Sequence, residues 1–116
     1  MLLAAVLGAG CLPPSVIQYT DTTMNPPPRP LVAKAPADVE LFTSGAPARP
    51  HVDVALLWVD SLVDRSIGEL LTQLRVEGAK KGCDAVVVTN MQIVGYDRGA
   101  NARIAIATCI AYTTAT

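Results

Sequence analysis

Seven of the nine prolines in this 116-residue chain fall between positions 13 and 36: Pro13, Pro14, Pro26, Pro27, Pro28, Pro30 and Pro36. Proline donates no amide hydrogen bond and fixes φ near about −65°, so neither a helix interior nor a central strand survives at that density. The run Pro26-Pro27-Pro28-Arg29-Pro30 is expected as polyproline II, rising ~3.1 Å per residue. Residues 11–37 are therefore read as a Pro-rich tether, with no strand expected at Val16, Ile17 and Tyr19 despite their suitability for one. The packed unit is left to residues 38–116. There the composition suffices, since 51% of the chain is hydrophobic and 16% charged. A net charge of −1 and 4% aromatic residues exclude the basic, stacking surface of a nucleic-acid binder. One histidine excludes a multi-histidine metal or catalytic centre.

Residues 1–10, Met-Leu-Leu-Ala-Ala-Val-Leu-Gly-Ala-Gly, contain no charge and precede Cys11. About 18 apolar residues are needed to cross a bilayer, so the run is too short to span one and matches the apolar part of a secretory signal. Gly8, Ala9 and Gly10 are small enough for a signal peptidase cleft. The segment resembles a bacterial lipoprotein signal with Cys11 as the lipidated residue, although Gly8 stands where that pattern usually has leucine. Leu12 follows the cysteine. The aspartate that retains lipoproteins at the inner membrane is absent, which implies the outer membrane, facing the periplasm. The competing reading is a buried N-terminal helix, against which the prolines and the lack of a polar face weigh.

Within 38–116, Val39–Thr43 reads as a strand and Val52–Val59 as a second, with Val52, Val54, Leu56 and Trp58 on one face. Ser66 and Glu69 have capping-box spacing. Ile67, Leu70, Leu71 and Leu74 then follow helical spacing, and Gly82 is a left-handed stop. Ala85–Thr89 and Arg103–Tyr112 are two further strands. In the last, Ala105, Ala107, Cys109 and Ala111 alternate with Ile104, Ile106, Ile110 and Tyr112. A row of small side chains admits a helix at close range, so the helix is expected on the Ala/Cys face. The expected fold class is α+β: a single four-stranded sheet in ββαββ order with one helix packed on one face. Ile104, Ile106, Ile110 and Tyr112 then form an uncovered apolar interaction face, where a partner, a second copy or the 90–101 loop would pack.

Few residues offer chemistry. Cys83 and Cys109 either pair as a disulfide in an oxidising envelope or lie as two inert thiols. A hairpin turning at Asp97-Arg98 sets Cys83 opposite Tyr112, about three residues or ~10 Å from Cys109, which leaves the choice open. His51 beside a cysteine would make a nucleophile, but no acid or oxyanion feature accompanies it. Cys83, Cys109 and His51 supply at most three zinc ligands, at no recognisable spacing. Asp53, Asp60 and Asp64 lack a calcium-loop pattern, and Gly8-Ala9-Gly10 lacks the strand and helix of a dinucleotide loop. No metal, cofactor or small-molecule substrate is expected.

Val39-Glu40-Leu41-Phe42-Thr43-Ser44, Leu70-Leu71 and Ala79-Lys80-Lys81-Gly82-Cys83-Asp84-Ala85-Val86 together carry a resemblance. They are similar to a superfamily of small bacterial α+β domains. One branch holds the Rcs-system stress-sensing outer-membrane lipoproteins, another small pentameric domains assigned to heavy-metal binding. The stress sensors carry four domain cysteines in two disulfides, whereas this domain has Cys83 and Cys109 alone. The resemblance implies a fold and a location rather than a signal. The expectation is a non-enzymatic envelope lipoprotein, anchored to the membrane by its lipid, whose domain binds another envelope protein or itself. The alternative is a soluble homo-oligomer of the metal-binding type.

Overall fold

A computed structural model describes residues 17–61, 66–95 and 101–114. The signal-like segment, Cys11 and Asp64 lie outside these residues. The elements are β1 (Ile17–Thr23), a 3-10 turn (Pro36–Asp38), β2 (Glu40–Phe42), β3 (His51–Ser61), α1 (Ile67–Lys81), β4 (Ala85–Gly95) and β5 (Asn101–Tyr112). They form one mixed five-stranded sheet in the order β1-β3-β5-β4-β2. All pairs are antiparallel except β2 with β4. The α+β class holds, but the four-stranded ββαββ sheet does not.

The fifth strand comes from inside the proline-rich stretch. Ile17–Thr23 is a proline-free heptad of Ile, Gln, Tyr, Thr and Asp, rich in residues that suit a pleated surface. Prolines on either side stop it without preventing it. It pairs with β3 from Ile17↔Ser61 to Thr23↔Ala55, and Ile17 and Tyr19 pack against the main core. The sheet order also separates β2 from β3, which the linear reading made neighbours. β2 is three residues long and sits at the opposite edge, parallel to the start of β4.

Because β1 and β2 lie on opposite edges, residues 24–39 must cross the sheet's whole width, and they do so at the end where α1 finishes. The amides of Met24 and Asn25 both bond the Val54 carbonyl, at 2.8 and 3.3 Å. That carbonyl is available because a bulge interrupts the β3–β5 register between Asp53 and Ala55. Farther on, the Lys34 amide bonds the Ala79 carbonyl at 3.0 Å. The segment is a strap tied to the domain rather than a tether standing off from it. The same bulge breaks the alternation expected for β3: Val52 and Val54 join the core with Ala55, Leu57 and Val59, while Leu56 and Trp58 alone remain on the other face.

The core lies between α1 and the sheet. Leu70, Leu74 and Ala79 meet Leu57, Val59, Val86 and the small row Ala105, Ala107, Cys109 and Ala111, nearly all fully buried. Close approach is literal at Gly78, where an added Cβ would sit 2.7 Å from Val86 Cγ1. The helix starts on a complete capping box: Ser66 Oγ accepts from the Glu69 amide at 3.1 Å and Glu69 Oε1 from the Ser66 amide at 2.9 Å. It ends at Gly82, whose φ of 86° is left-handed. A Cβ there would also strike the Val32 backbone at 2.6 Å, so the strap passes directly over the helix stop.

Candidate functional site

Two regions stand out: a charged cluster where the strap crosses, and the sheet face away from α1. The cluster forms around Asp84, which follows the Gly82 stop and opens β4. Its backbone is fixed first, with its amide on the Ile110 carbonyl at 3.0 Å and its carbonyl accepting the Glu40 amide at 3.2 Å. Its carboxylate then accepts from three directions. Arg29 Nη2 (2.6 Å) and the Tyr112 amide (2.8 Å) reach Oδ2, and Lys34 Nζ (3.0 Å) reaches Oδ1. Burial pushes this carboxyl up, but the Tyr112 amide, Arg29 and Lys34 together outweigh it and hold it below the usual carboxylate range.

Arg29 also donates through Nη1 to the Tyr112 carbonyl at 2.7 Å, so one guanidinium bridges β4 and β5. This suits a proline-rich strap, which has few amides of its own to give and must be held by side chains. The Tyr112 hydroxyl donates to Glu40 Oε1 at 2.5 Å, and burial with that bond pushes the phenol up to about 12. Arg49 lies 4.0 Å over the Tyr112 ring and donates to the Thr114 carbonyl at 2.7 Å. Arg29, Asp38, Glu40, Arg49, Asp84, Tyr112 and Thr114 surround an open hollow of about 420 Å³. Cations and carboxylates both line it, and Arg29 with Asp84 and Tyr112 with Glu40 are already engaged with one another. The arrangement is suited to clamping chain segments.

Cys83 and Cys109 are joined in a disulfide, with 5.5 Å between their Cα atoms. The three-residue offset does not keep them apart. Cys83 lies in the turn between Gly82 and β4, on the helix side, instead of on an extended strand. Both are fully buried, so neither is a thiol nucleophile or thiolate ligand. His51 bonds the Arg49 carbonyl through Nδ1 at 2.8 Å and lies 3.8 Å from Asp53. Asp60 accepts from the Trp58 indole at 3.3 Å. Among the described residues no group of three or more His, Cys, Asp or Glu side chains is arranged to hold a metal ion.

The expected interaction face divides. Ile110 and Tyr112 are 1% and 5% exposed, buried with Ala85, Val87 and Phe42 in a second small cluster. They cannot present a surface: Phe42 packs against this cluster, Arg49 lies over the Tyr112 ring, and the Thr113 amide bonds the Pro50 carbonyl at 3.1 Å. Ile104 and Ile106 are half-buried. Opposite Ile106 in the register is Trp58, 38% exposed. Thr20, Thr22, Leu56 and Trp58 line a shallow hollow of about 240 Å³ on this face. Sequence reading passed over Arg29, Lys34, Glu40, Arg49 and Asp84. A usable signal was present: Arg29 is the one charge in a run of prolines, and Asp84 the one charge between Gly82 and Val88.

No protein-family model matches the chain, and no curated protein matches it. Among solved structures, the Francisella virulence factor FvfA superposes with a TM-score of 0.60 over 85% of this chain and all of that one. The two share 6% sequence identity, so the likeness is one of fold alone.

Proposed function

We propose that this chain is a non-enzymatic lipoprotein of the bacterial envelope, anchored through an acylated Cys11, whose α+β domain binds protein in the periplasm. The observation that carries the reading is the buried Cys83–Cys109 bridge, taken together with the apolar, small-residue run in the sequence that ends at Cys11. Disulfides persist in oxidising compartments and are rare where thiols are kept reduced. Two or more acyl chains, at ~0.8 kcal/mol per buried methylene, hold firmly where one holds only marginally. Six Cα steps separate Cys11 from Ile17, about 20 Å at full extension. The anchored domain therefore rides close to the lipid surface, with the Ile17 and Ser61 end of the sheet nearest it. The half of the uncovered face around Trp58, Ile104 and Ile106 is the surface it offers.

Metabolic labelling with a palmitate analogue tests the anchor. Label is expected on the wild-type protein and lost in Cys11→Ser. Equal absence of label from both removes the lipoprotein reading.

A further inference from the structure

We propose that the outer edge of β4 from Asn90 to Gly95 pairs with the same segment of a second copy, antiparallel about a two-fold axis, joining two five-stranded sheets into one. β4 is eleven residues long, but β2 covers its outer side only at Ala85, Val86 and Val87. Beyond that, no strand pairs with this side among the described residues. A bulge interrupts the β4–β5 register between Val88 and Asn90, just past the last residue that pairs with β2. Past the bulge the register with β5 is unbroken from Asn90↔Ile106 to Gly95↔Asn101. Thr89 through Ile93 are consecutively exposed, with Met91 at 40% and Ile93 at 58%.

Monomeric sheets shield such edges with charges, prolines or shortness. The sheet's other edges show these devices. β1 carries Asp21, which pairs with Lys81 at 3.1 Å and accepts the Tyr19 hydroxyl at 2.7 Å. β2 has three residues, one of them Glu40. Asn90-Met91-Gln92-Ile93-Val94-Gly95 has neither charge nor proline. An uncharged strand also suits a copy of itself in particular. A two-fold axis perpendicular to the sheet preserves its faces and, centred on Gln92, sets each residue opposite the one equally far beyond Gln92 in the other copy, so a charge at position 91 or 93 would lie diagonally across from its own copy. Here Met91 would lie opposite Ile93 on each side of the axis, an apolar pair, and Gln92 would meet Gln92, whose amides both donate and accept. This inference does not rest on acylation of Cys11, and it uses an edge of the sheet rather than its uncovered face.

Sedimentation velocity on the purified full chain, in a mild detergent that accommodates an acyl group, tests it. Wild type is expected to pass from monomer to dimer with rising concentration. Met91→Lys and Ile93→Lys are expected to weaken association about tenfold or more, because each lysine replaces an apolar cross-strand contact and lies diagonally across from its own copy, with melting temperatures unchanged in dilute, monomeric protein. A Gln92→Cys variant is expected to cross-link to itself with a short bismaleimide, whereas Gln18→Cys on the β1 edge is not. A strictly monomeric wild type, or lysine variants that dimerise as wild type does, overturns the proposal. So does a dimer lost on Trp58→Glu and indifferent to Ile93→Lys, which would place the interface on the sheet face. Monomeric chain that instead captures an unrelated extended peptide at this edge also overturns it.

Discussion

The Cys83–Cys109 bridge makes a measurable demand on stability. It closes a loop with a sequence separation of 26, for which chain entropy gives about 3.5 kcal/mol at room temperature. Domains of this size are stable by only ~5–15 kcal/mol, so the bridge supplies a substantial share. Both cysteines are fully buried between α1 and β5, so reductant reaches the bond only when the domain opens. Reduced wild-type chain is the cleanest comparison, since removing the side chains would add a cavity cost. The protein is unfolded in urea with dithiothreitol, refolded under reducing conditions, and its unfolding curve compared with that of oxidised protein. At a urea slope of ~1.5 kcal/mol/M the midpoint should fall by roughly 2 M. The melting temperature should fall by roughly 15 °C. Native protein should react with dithiothreitol no faster than it unfolds. Two curves within about 1 kcal/mol of each other, or prompt reduction of the native bond, would refute both the entropy argument and the bridge as a structural element.

Gly82→Ala should cost roughly 3 kcal/mol, because it adds left-handed strain and drives a methyl into the Val32 backbone. Gly45→Ala shares a positive φ of 94° but meets nothing within 4 Å, so it should cost only about 1 kcal/mol. Comparing the two by urea unfolding isolates the strap contact, and equal costs would mean that the strap does not rest on the helix stop. Gly78→Ala should destabilise despite a helix-propensity gain of ~1 kcal/mol, because the methyl falls 2.7 Å from Val86 Cγ1; a higher melting temperature would contradict that contact. Asp84 is held below the usual carboxylate range, so its contribution is complete above about pH 4 and lost as pH falls through the lower folded value. Asp84→Asn should therefore lower the urea midpoint near neutrality and flatten its decline below about pH 4, and an unchanged acid limb would show that other carboxylates govern it.

Local signals carried the elements that depend on local rules. The Ser66–Glu69 box, the Leu70/Leu74 stripe and the Gly82 stop are decided within one helix, and each is found where the residues indicate. The alternation Ala105–Ala111 likewise marks the helix-facing side of β5 because the pleat has period two. What stayed hidden was long-range or irregular. The Val54 bulge reverses a face of β3 without any glycine or proline to announce it, and the carbonyl there is taken up by the Met24 and Asn25 amides, some thirty positions earlier. Asp84 looks like one more solvated carboxylate until Arg29, 55 positions earlier, arrives beside it. The burial of Ile110 and Tyr112 depends on Phe42, from a strand paired with β4, and on Arg49 over the Tyr112 ring, contacts that no periodicity encodes.

The boundary at residue 38 is where the two kinds of inference part. Composition draws it there, because prolines crowd the preceding stretch. The folded contacts run through it. Removing residues 1–37 would strip β1 from β3, leaving an eleven-residue strand with Leu57 and Val59 in it as a new sheet edge. It would take Ile17, Tyr19 and Leu31 from the core. It would also leave the Asp84 carboxylate with only the Tyr112 amide of its three donors. A half-buried carboxylate deprived of two cationic partners, one of them 42% exposed, costs roughly 1–2 kcal/mol, and the lost ladder and apolar contacts add to it. A 38–116 fragment should thus be aggregation-prone and lack a cooperative melt, while a 17–116 fragment should melt like the full chain. Comparing the two fragments by circular dichroism and light scattering decides the matter. If 38–116 is monomeric and melts within a few degrees of 17–116, the strap and β1 are an ornament on the domain, and the cluster around Asp84 does not hold it together.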